Sequence, residues 1–237
     1  MKQRHSRGSS WLKAMIRSTY NGRGVKAFLL ACGEADRLLD VGCGNNAPLV
    51  AKSIRPDLYY IGIDVSDHRQ GRDPRQVADE YRLVPPGEFA AAIGSYKGAL
   101  NAVVSAHNLE HCDQPDAVLV NMIDGLKPGG RIYLSFPAQA SRRFPRRRGT
   151  LNFYDDETHR EPPDYRAVCA SLNDKGLQIE FAAERYRPMV KWLVGLALEP
   201  VSRLRNRVMF GTWAFYGFET VIWARRPAGS GMTAAGQ

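Results

Sequence analysis

From residue 37 onward, short apolar runs alternate with stretches whose apolar positions fall three or four apart. Residues 37–41, 58–64, 80–84, 100–105 and 131–136 are the runs, each bounded by glycine, proline or charged residues, and they read as strands. Residues 48–54, 86–96 and 115–126 carry helical spacing between them. Strands and helices alternating at this interval predict βαβ units, and so a doubly wound α/β domain with a parallel sheet. After Pro137 the alternation lapses, and residues 138–162 read as a long loop on the substrate side. Residues 165–175 read as a helix ended by Gly176, and 178–185 and 217–225 as two further strands, which bring the sheet to seven.

Two other segments carry helical spacing. Leu12, Met15 and Ile16, then Val25, Phe28 and Leu29, predict one or two helices over residues 11–32, interrupted near 21–24. Residues 188–210 place Val190, Leu193, Val194, Ala197, Leu198 and Val201 at helical intervals, with a break expected at Pro200. Lys191, Arg203, Arg205 and Arg207 flank that insert. Packing over the substrate pocket is the commoner explanation of such a pattern, beside a dimer contact or an interfacial membrane helix. The expected organisation is one domain over 11–226, with a cofactor-binding core at 36–137, between flexible tails at 1–10 and 227–237.

Composition narrows this picture little. The 237 residues, 44% hydrophobic and 24% charged, suit a single globular domain and exclude a disordered chain. The four cysteines form no CxxC pair, which removes a zinc knuckle or dithiol redox site and leaves reduced thiols as the expectation. A net charge of +9 permits nucleic acid, anionic lipid or phosphorylated substrates and selects none of them. The basic first ten residues lead into no long apolar run, and no segment has the roughly 20 apolar residues a spanning helix needs. The expectation is a cytoplasmic protein, with a membrane-peripheral position left open.

The chemistry concentrates at strand ends. Asp40-Val41-Gly42-Cys43-Gly44 runs from the first strand into a glycine turn and then a helix, so the backbone can approach a ligand closely. Asp64 ends the second strand, where a carboxylate can accept hydrogen bonds from both hydroxyls of a ribose. A dinucleotide would bring its pyrophosphate onto this turn. Asp40 would repel that group and suits a cationic ligand better.

These residues, with Ser105-Ala106-His107-Asn108-Leu109-Glu110-His111 and Leu126-Lys127-Pro128-Gly129-Gly130, resemble successive motifs of the class I S-adenosylmethionine-dependent methyltransferases. The resemblance implies S-adenosyl-L-methionine as cofactor, held by Asp40, Gly42, Cys43, Gly44, Asp64, Val65, Ala106, His107 and Asn108. It also implies a seven-stranded Rossmann-like sheet and methyl transfer to an oxygen or nitrogen. Together with residues 152–159, the His-Asn-Leu-Glu-His segment most resembles bacterial type 11 methyltransferases associated with surface polysaccharide. A small-molecule or glycan-type acceptor, with an anionic one left open, is the corresponding expectation. Two departures stand out: Asn46 replaces the third glycine of the common turn, and Asn101 replaces an acid early in the fourth strand. They keep open a catalytically silent, cofactor-binding regulatory module, and the basic charge keeps open an RNA methyltransferase.

Methyl transfer from a sulfonium chiefly requires positioning, and a general base helps when the acceptor is a hydroxyl. His107, Asp155 and His159 are the candidate bases, the last two from Asn152-Phe153-Tyr154-Asp155-Asp156-Glu157-Thr158-His159. The alternative for that acidic run is helix capping by Asp156. Glu110 and His111 read as loop anchors, with help in binding a metal, as in some relatives of the family they resemble, as the lesser alternative. Asp155, Asp156 and His159 could chelate a divalent ion, but no spacing is diagnostic, no metal ligand is assigned, and the use of a metal is not legible. Arg142-Arg143-Phe144-Pro145-Arg146-Arg147-Arg148 reads as a solvated loop or as a site for phosphate or carboxylate. The oligomeric state is not legible.

Overall fold

The computed structural model describes residues 22–44, 46–68 and 70–228. Its elements run α1 (Val25–Ala31), β1 (Arg37–Val41), α2 (Ala47–Ile54), β2 (Tyr59–Asp64), β3 (Glu80–Leu83), α3 (Phe89–Gly94), β4 (Leu100–Ala106), α4 (Pro115–Gly125) and β5 (Leu126–Pro137). After the long loop come α5 (Tyr165–Asp174), β6 (Gln178–Ala183), α6 (Met189–Leu204), α7 (Thr212–Tyr216) and β7 (Glu219–Arg225). The seven strands pair in the order β3-β2-β1-β4-β5-β7-β6. β7 runs antiparallel to both its neighbours, and the remaining pairs are parallel.

The near-continuous apolar strands follow from burial on both faces. Leu39, Val41, Ile61, Ile63, Val103 and Ile132 face one layer, where Ile93, Met122, Val168 and Leu172 of α3, α4 and α5 close over them. Leu38, Tyr60, Val104 and Tyr133 face the other layer, against Phe28, Leu29, Ala51 and Trp223. Adjacent residues such as Leu38 and Leu39 serve opposite layers because successive strand side chains alternate.

The sequence-predicted strands and helices over 37–185 are present, apart from small shifts at their ends. The Lys127-Pro128-Gly129-Gly130 turn lies inside β5, where Leu126 pairs Leu100 before the register shifts to Arg131 beside Ala102. Gly129 takes a φ of 81°, and a Cβ on Gly130 would press on three carbonyl oxygens. Glycine is what lets the chain bulge here without leaving the sheet. The expected break at Pro200 does not occur: α6 continues through it. Pro200 and Leu196 are both exposed, so the carbonyl that loses its N–H partner lies toward solvent. The first part of the helical segment predicted over 11–32, and the tails at 1–10 and 229–237, lie outside the described residues.

The order reverses between β1 and β4, whose carboxyl ends open onto a shared crevice, the position where doubly wound sheets bind ligands.

Candidate functional site

That crevice is a cavity of about 780 Å³, bounded by the β1 turn, the ends of β2 and β4, and residues 156–160 of the long loop. Of the residues expected to hold the cofactor, Gly42, Gly44, Asp64, Val65, His107 and Asn108 line it. Gly42 has a φ of 75°, and a Cβ there would collide with the Asn108 side chain. A Cβ on Gly44 would lie 3.1 Å from His68 and 3.5 Å from Asp64. Both positions therefore fix how closely backbone can pass a ligand.

Asp64 is buried, and its Oδ1 accepts from the Val65 N–H at 2.7 Å and more loosely from Ser66. Burial raises its pKa, partly offset by those N–H groups. Asp40 lies behind the turn, where its Oδ2 accepts from the Tyr60 hydroxyl at 2.6 Å. Burial pushes its pKa up to about 7, against the Tyr60 bond and with a contribution from Asp64. Cys43 turns inward and packs in the Tyr60 layer, with Ala106 beside it at the end of β4.

The three candidate bases are placed very differently. His107 sits at a φ of 52°, with Nδ1 3.2 Å from Glu110 and Nε2 3.3 Å from Glu219. Its ring stacks on Phe218 and tilts against Trp213 of α7. Burial alone disfavours an imidazolium, but the two carboxylates outweigh it and raise the pKa to about 10. Both ring nitrogens are thus committed to ion pairs. Asp155 does not line the crevice: its Oδ2 accepts from the backbone N–H groups of Arg147, Leu151 and Asn152 at 3.1, 3.0 and 2.8 Å. It completes a capping box with Asn152 around a 3₁₀ turn over Phe153–Asp155. His159 does reach the crevice, stacked on Phe153 and 4.8 Å, ring to ring, from His111.

The tautomers of these two histidines follow from their partners. His159 Nδ1 lies 2.6 Å from the Phe153 carbonyl, which can only accept, so Nδ1 carries a proton and the neutral ring's lone pair is on Nε2. His111 Nδ1 faces the Thr158 hydroxyl at 3.0 Å and its carbonyl at 3.3 Å. That hydroxyl donates to Asp156 at 2.6 Å, so it accepts from His111 and again leaves Nε2 with the lone pair. Glu110 is buried, and its Oε2 has no hydrogen-bond partner among the described residues. Glu110, His111 and His159 each offer a ligand atom, all within 4.8 Å of one another. Arg160 ties the two segments together, its N–H donating to the Glu110 carbonyl and its guanidinium pairing with Asp113 at 2.5 Å.

Sequence reasoning passed over His68, Thr158 and Glu219. His68 follows Asp64 by four residues, a spacing that could have flagged it; its Nε2 lies 2.5 Å from Ser66 Oγ and 4.0 Å from Asp64. Glu219 gave no local signal, because its partner His107 lies in a distant strand. The arginine run divides: Arg142 pairs with Glu161 at 2.6 Å, and buried Arg147 holds Glu199 through two bonds of 2.6 and 2.8 Å. Asp156 turns on Thr158 as a local cap, and its pKa falls because the Thr158 bonds outweigh burial.

A glycine turn, an acidic strand end and a polar cavity at the switch point of this sheet define the class I methyltransferase fold. The sequence profile described as "Methyltransferase domain" matches residues 14–181, and the chain belongs to that family. It is 30% identical over 111 residues to 27-O-demethylrifamycin SV methyltransferase of Amycolatopsis mediterranei, covering 46% of this chain and 41% of that protein. It is 30% identical over 104 residues to ubiquinone biosynthesis O-methyltransferase of Dechloromonas aromatica, covering 42% and 43%. The chain thus spans less than half the length of these relatives. Among solved structures, an S-adenosylmethionine-dependent methyltransferase from Mesorhizobium loti superposes with a TM-score of 0.58 at 14% identity, over 85% of this chain and 95% of that one. One from Archaeoglobus fulgidus gives 0.51 at 21%, over 90% and 99%. These likenesses bear on the fold.

The residues present fit the cofactor of this family, S-adenosylmethionine. Asp64 offers a carboxylate for a ribose, Gly42 and Gly44 leave the backbone bare, and Asp40 places a titratable acid behind the turn.

Proposed function

We propose that the chain methylates an oxygen or nitrogen of a small-molecule or glycan-type acceptor, with S-adenosylmethionine held at the β1 turn. When bound, the cofactor supplies a methyl carbon already activated on a sulfonium. The chain's task is to position the acceptor and remove its proton. Asp64 takes the ribose, Gly42 and Gly44 admit the cofactor's backbone-facing side, and Asp40 serves its cationic end. His159 acts as base through Nε2, its ring oriented by the Phe153 carbonyl on Nδ1. His107 is a positioning residue: its charge, fixed between Glu110 and Glu219, orders the end of β4.

The observation that carries this reading is the oriented imidazole of His159 sharing one cavity with Asp64 and Gly42. The test is acceptor-dependent formation of S-adenosylhomocysteine across a panel that includes sugar nucleotides and phenols. His159→Gln should lower turnover by about 10²–10⁴-fold on a hydroxyl acceptor while cofactor affinity stays unchanged. Turnover on no acceptor, with intact cofactor binding, would instead support the regulatory module.

A second reading concerns the same reaction. Glu110 Oε2, unpartnered and buried, and two imidazoles whose Nδ1 atoms are held by protein acceptors form a donor set suited to a divalent cation. In this reading a cation would lower the acceptor's pKa, and His159 Nε2 would hold the cation instead of taking the proton. Activity lost on chelation and restored by a divalent salt would select it.

A further inference from the structure

Helix α6 is packed inside out. Met189, Leu193, Leu196, Pro200 and Leu204 recur every three or four positions and so share one face, and all five are exposed. Met189 is 66% and Leu204 87% exposed, and Phe210, in the turn that follows, is 64% exposed. The face toward the protein carries Gly195, Glu199 and Ser202. Gly195 lies against the Gly211 backbone so closely that a Cβ would overlap the Gly211 carbonyl. Glu199 and Ser202 accept from buried Arg147, Ser202 at 2.8 Å. Polar clips, a glycine contact and Trp192 against Phe215 seat this helix, and an apolar stripe is turned outward. A contiguous apolar surface of this kind marks an interaction site.

Charge indicates what covers it. Lys191 stands near the start of the helix, and Arg203, Arg205 and Arg207 follow at its end, all exposed. None of the four forms a salt bridge among the described residues. A second copy laid on this face would bring basic ends together in either orientation, with no acid to offset them. Residues 1–21 do not offset them either, since they carry Lys2, Arg4, Arg7, Lys13 and Arg17 and no acid. No helix among the described residues is long and apolar enough to cross a membrane.

We infer that α6 lies on the surface of an anionic bilayer, its apolar face among the headgroups and its flanking basic residues at phosphate level. The face adjoins the site: α7, packed on α6, presents Trp213 to His107 at 5.3 Å. Acceptors carried by that surface would meet the enzyme where it docks.

The test is flotation of the full chain, without cofactor or acceptor, on vesicles of phosphatidylcholine alone and of phosphatidylcholine mixed with phosphatidylglycerol. The chain should float with the mixed vesicles only, and added salt should release it. Leu193→Gln with Leu204→Gln should weaken partitioning by about tenfold or more. Arg203→Gln with Arg205→Gln should weaken it about fivefold per charge removed. These positions are exposed, so unchanged melting curves establish that the variants fold. Failure to float, equal flotation on both vesicles, or flotation indifferent to the substitutions overturns the inference. A concentration-dependent dimer dissolved by the leucine pair, without vesicle binding, overturns it in favour of a second copy.

Discussion

Asp40, buried behind the turn, and half-buried His107, in the crevice wall, are both titratable, yet their surroundings push their protonation in opposite directions relative to charge. His107 has a carboxylate 3.2–3.3 Å from each ring nitrogen, which favours its charged form and opposes its taking an acceptor's proton. Asp40 has only the Tyr60 hydroxyl to stabilise its anion, and burial holds its pKa near 7, above an ordinary value of 3.8. A cationic ligand beside the β1 turn favours the ionised form of Asp40. Below pH 7 binding must therefore expel a proton, and above it the carboxylate is already charged. Affinity for S-adenosylmethionine should rise as the pH climbs from about 5 to 7, by up to about tenfold per unit, and then level off. Titration calorimetry across that range should show the rise in the native chain and a flat profile in Asp40→Asn. An unchanged slope in the variant would assign the proton to another group.

At the scale of elements, what was legible divides by how far a signal reaches. Strands β1, β2, β4 and β5 could be read because burial on both faces makes them continuously apolar, and their ends placed Gly42, Asp64 and Asn108 at the crevice. The helical spacing of α6 could be read too, but its orientation could not, since spacing alone does not say which face meets protein. Five arginines in seven residues looked uniform along the chain, whereas folding makes Arg147 a buried clip and Arg142 a surface pair. Asp155 and His159 stand in one acidic, aromatic run, yet Asp155 serves backbone amides and only His159 reaches the cavity. For Arg147 and His107 the partner that decides the role lies far away in sequence, Glu199 and Glu219, whereas Asp155 and His159 are set by backbone groups within eight residues. Removing Arg147 would leave Glu199 with the Tyr216 hydroxyl in place of three donors, take the guanidinium from Ser202 and Tyr216, and unclip α6 from the long loop. Arg147→Ala should cost about 3 kcal/mol in denaturant unfolding, with most of that loss retained in Arg147→Lys, whose single ammonium cannot span both Glu199 oxygens. A cost within error of zero would mean that the Gly195–Gly211 and Trp192–Phe215 contacts seat α6 without the clip.

For the whole molecule, the cavity draws on both halves of the sheet and on the long loop, so a bound cofactor should stabilise more than its immediate contacts. Gly42 and Asp64 come from strands on one side of the switch point, His107 and Asn108 from β4 on the other, and His159 from the loop clamped to β4 by Arg160. Two apolar layers share every one of these strands, so the crevice cannot open fully while the sheet stays paired. A ligand bound to the folded state alone, at a hundred times its dissociation constant, contributes about 2.7 kcal/mol. In a chain of this size each kcal/mol raises the melting temperature by about 2–4 °C. S-adenosylmethionine and S-adenosylhomocysteine at that excess should therefore raise the single transition by about 5–10 °C. Asp64→Ala, which removes the ribose contact, should abolish the shift at the same concentration. Calorimetry distinguishes a shared transition from a local one. If the cofactor moved only a minor early transition and left the main one in place, the crevice would be a separately folding unit. The two apolar layers that run beneath it would then be only loosely coupled to the site they position.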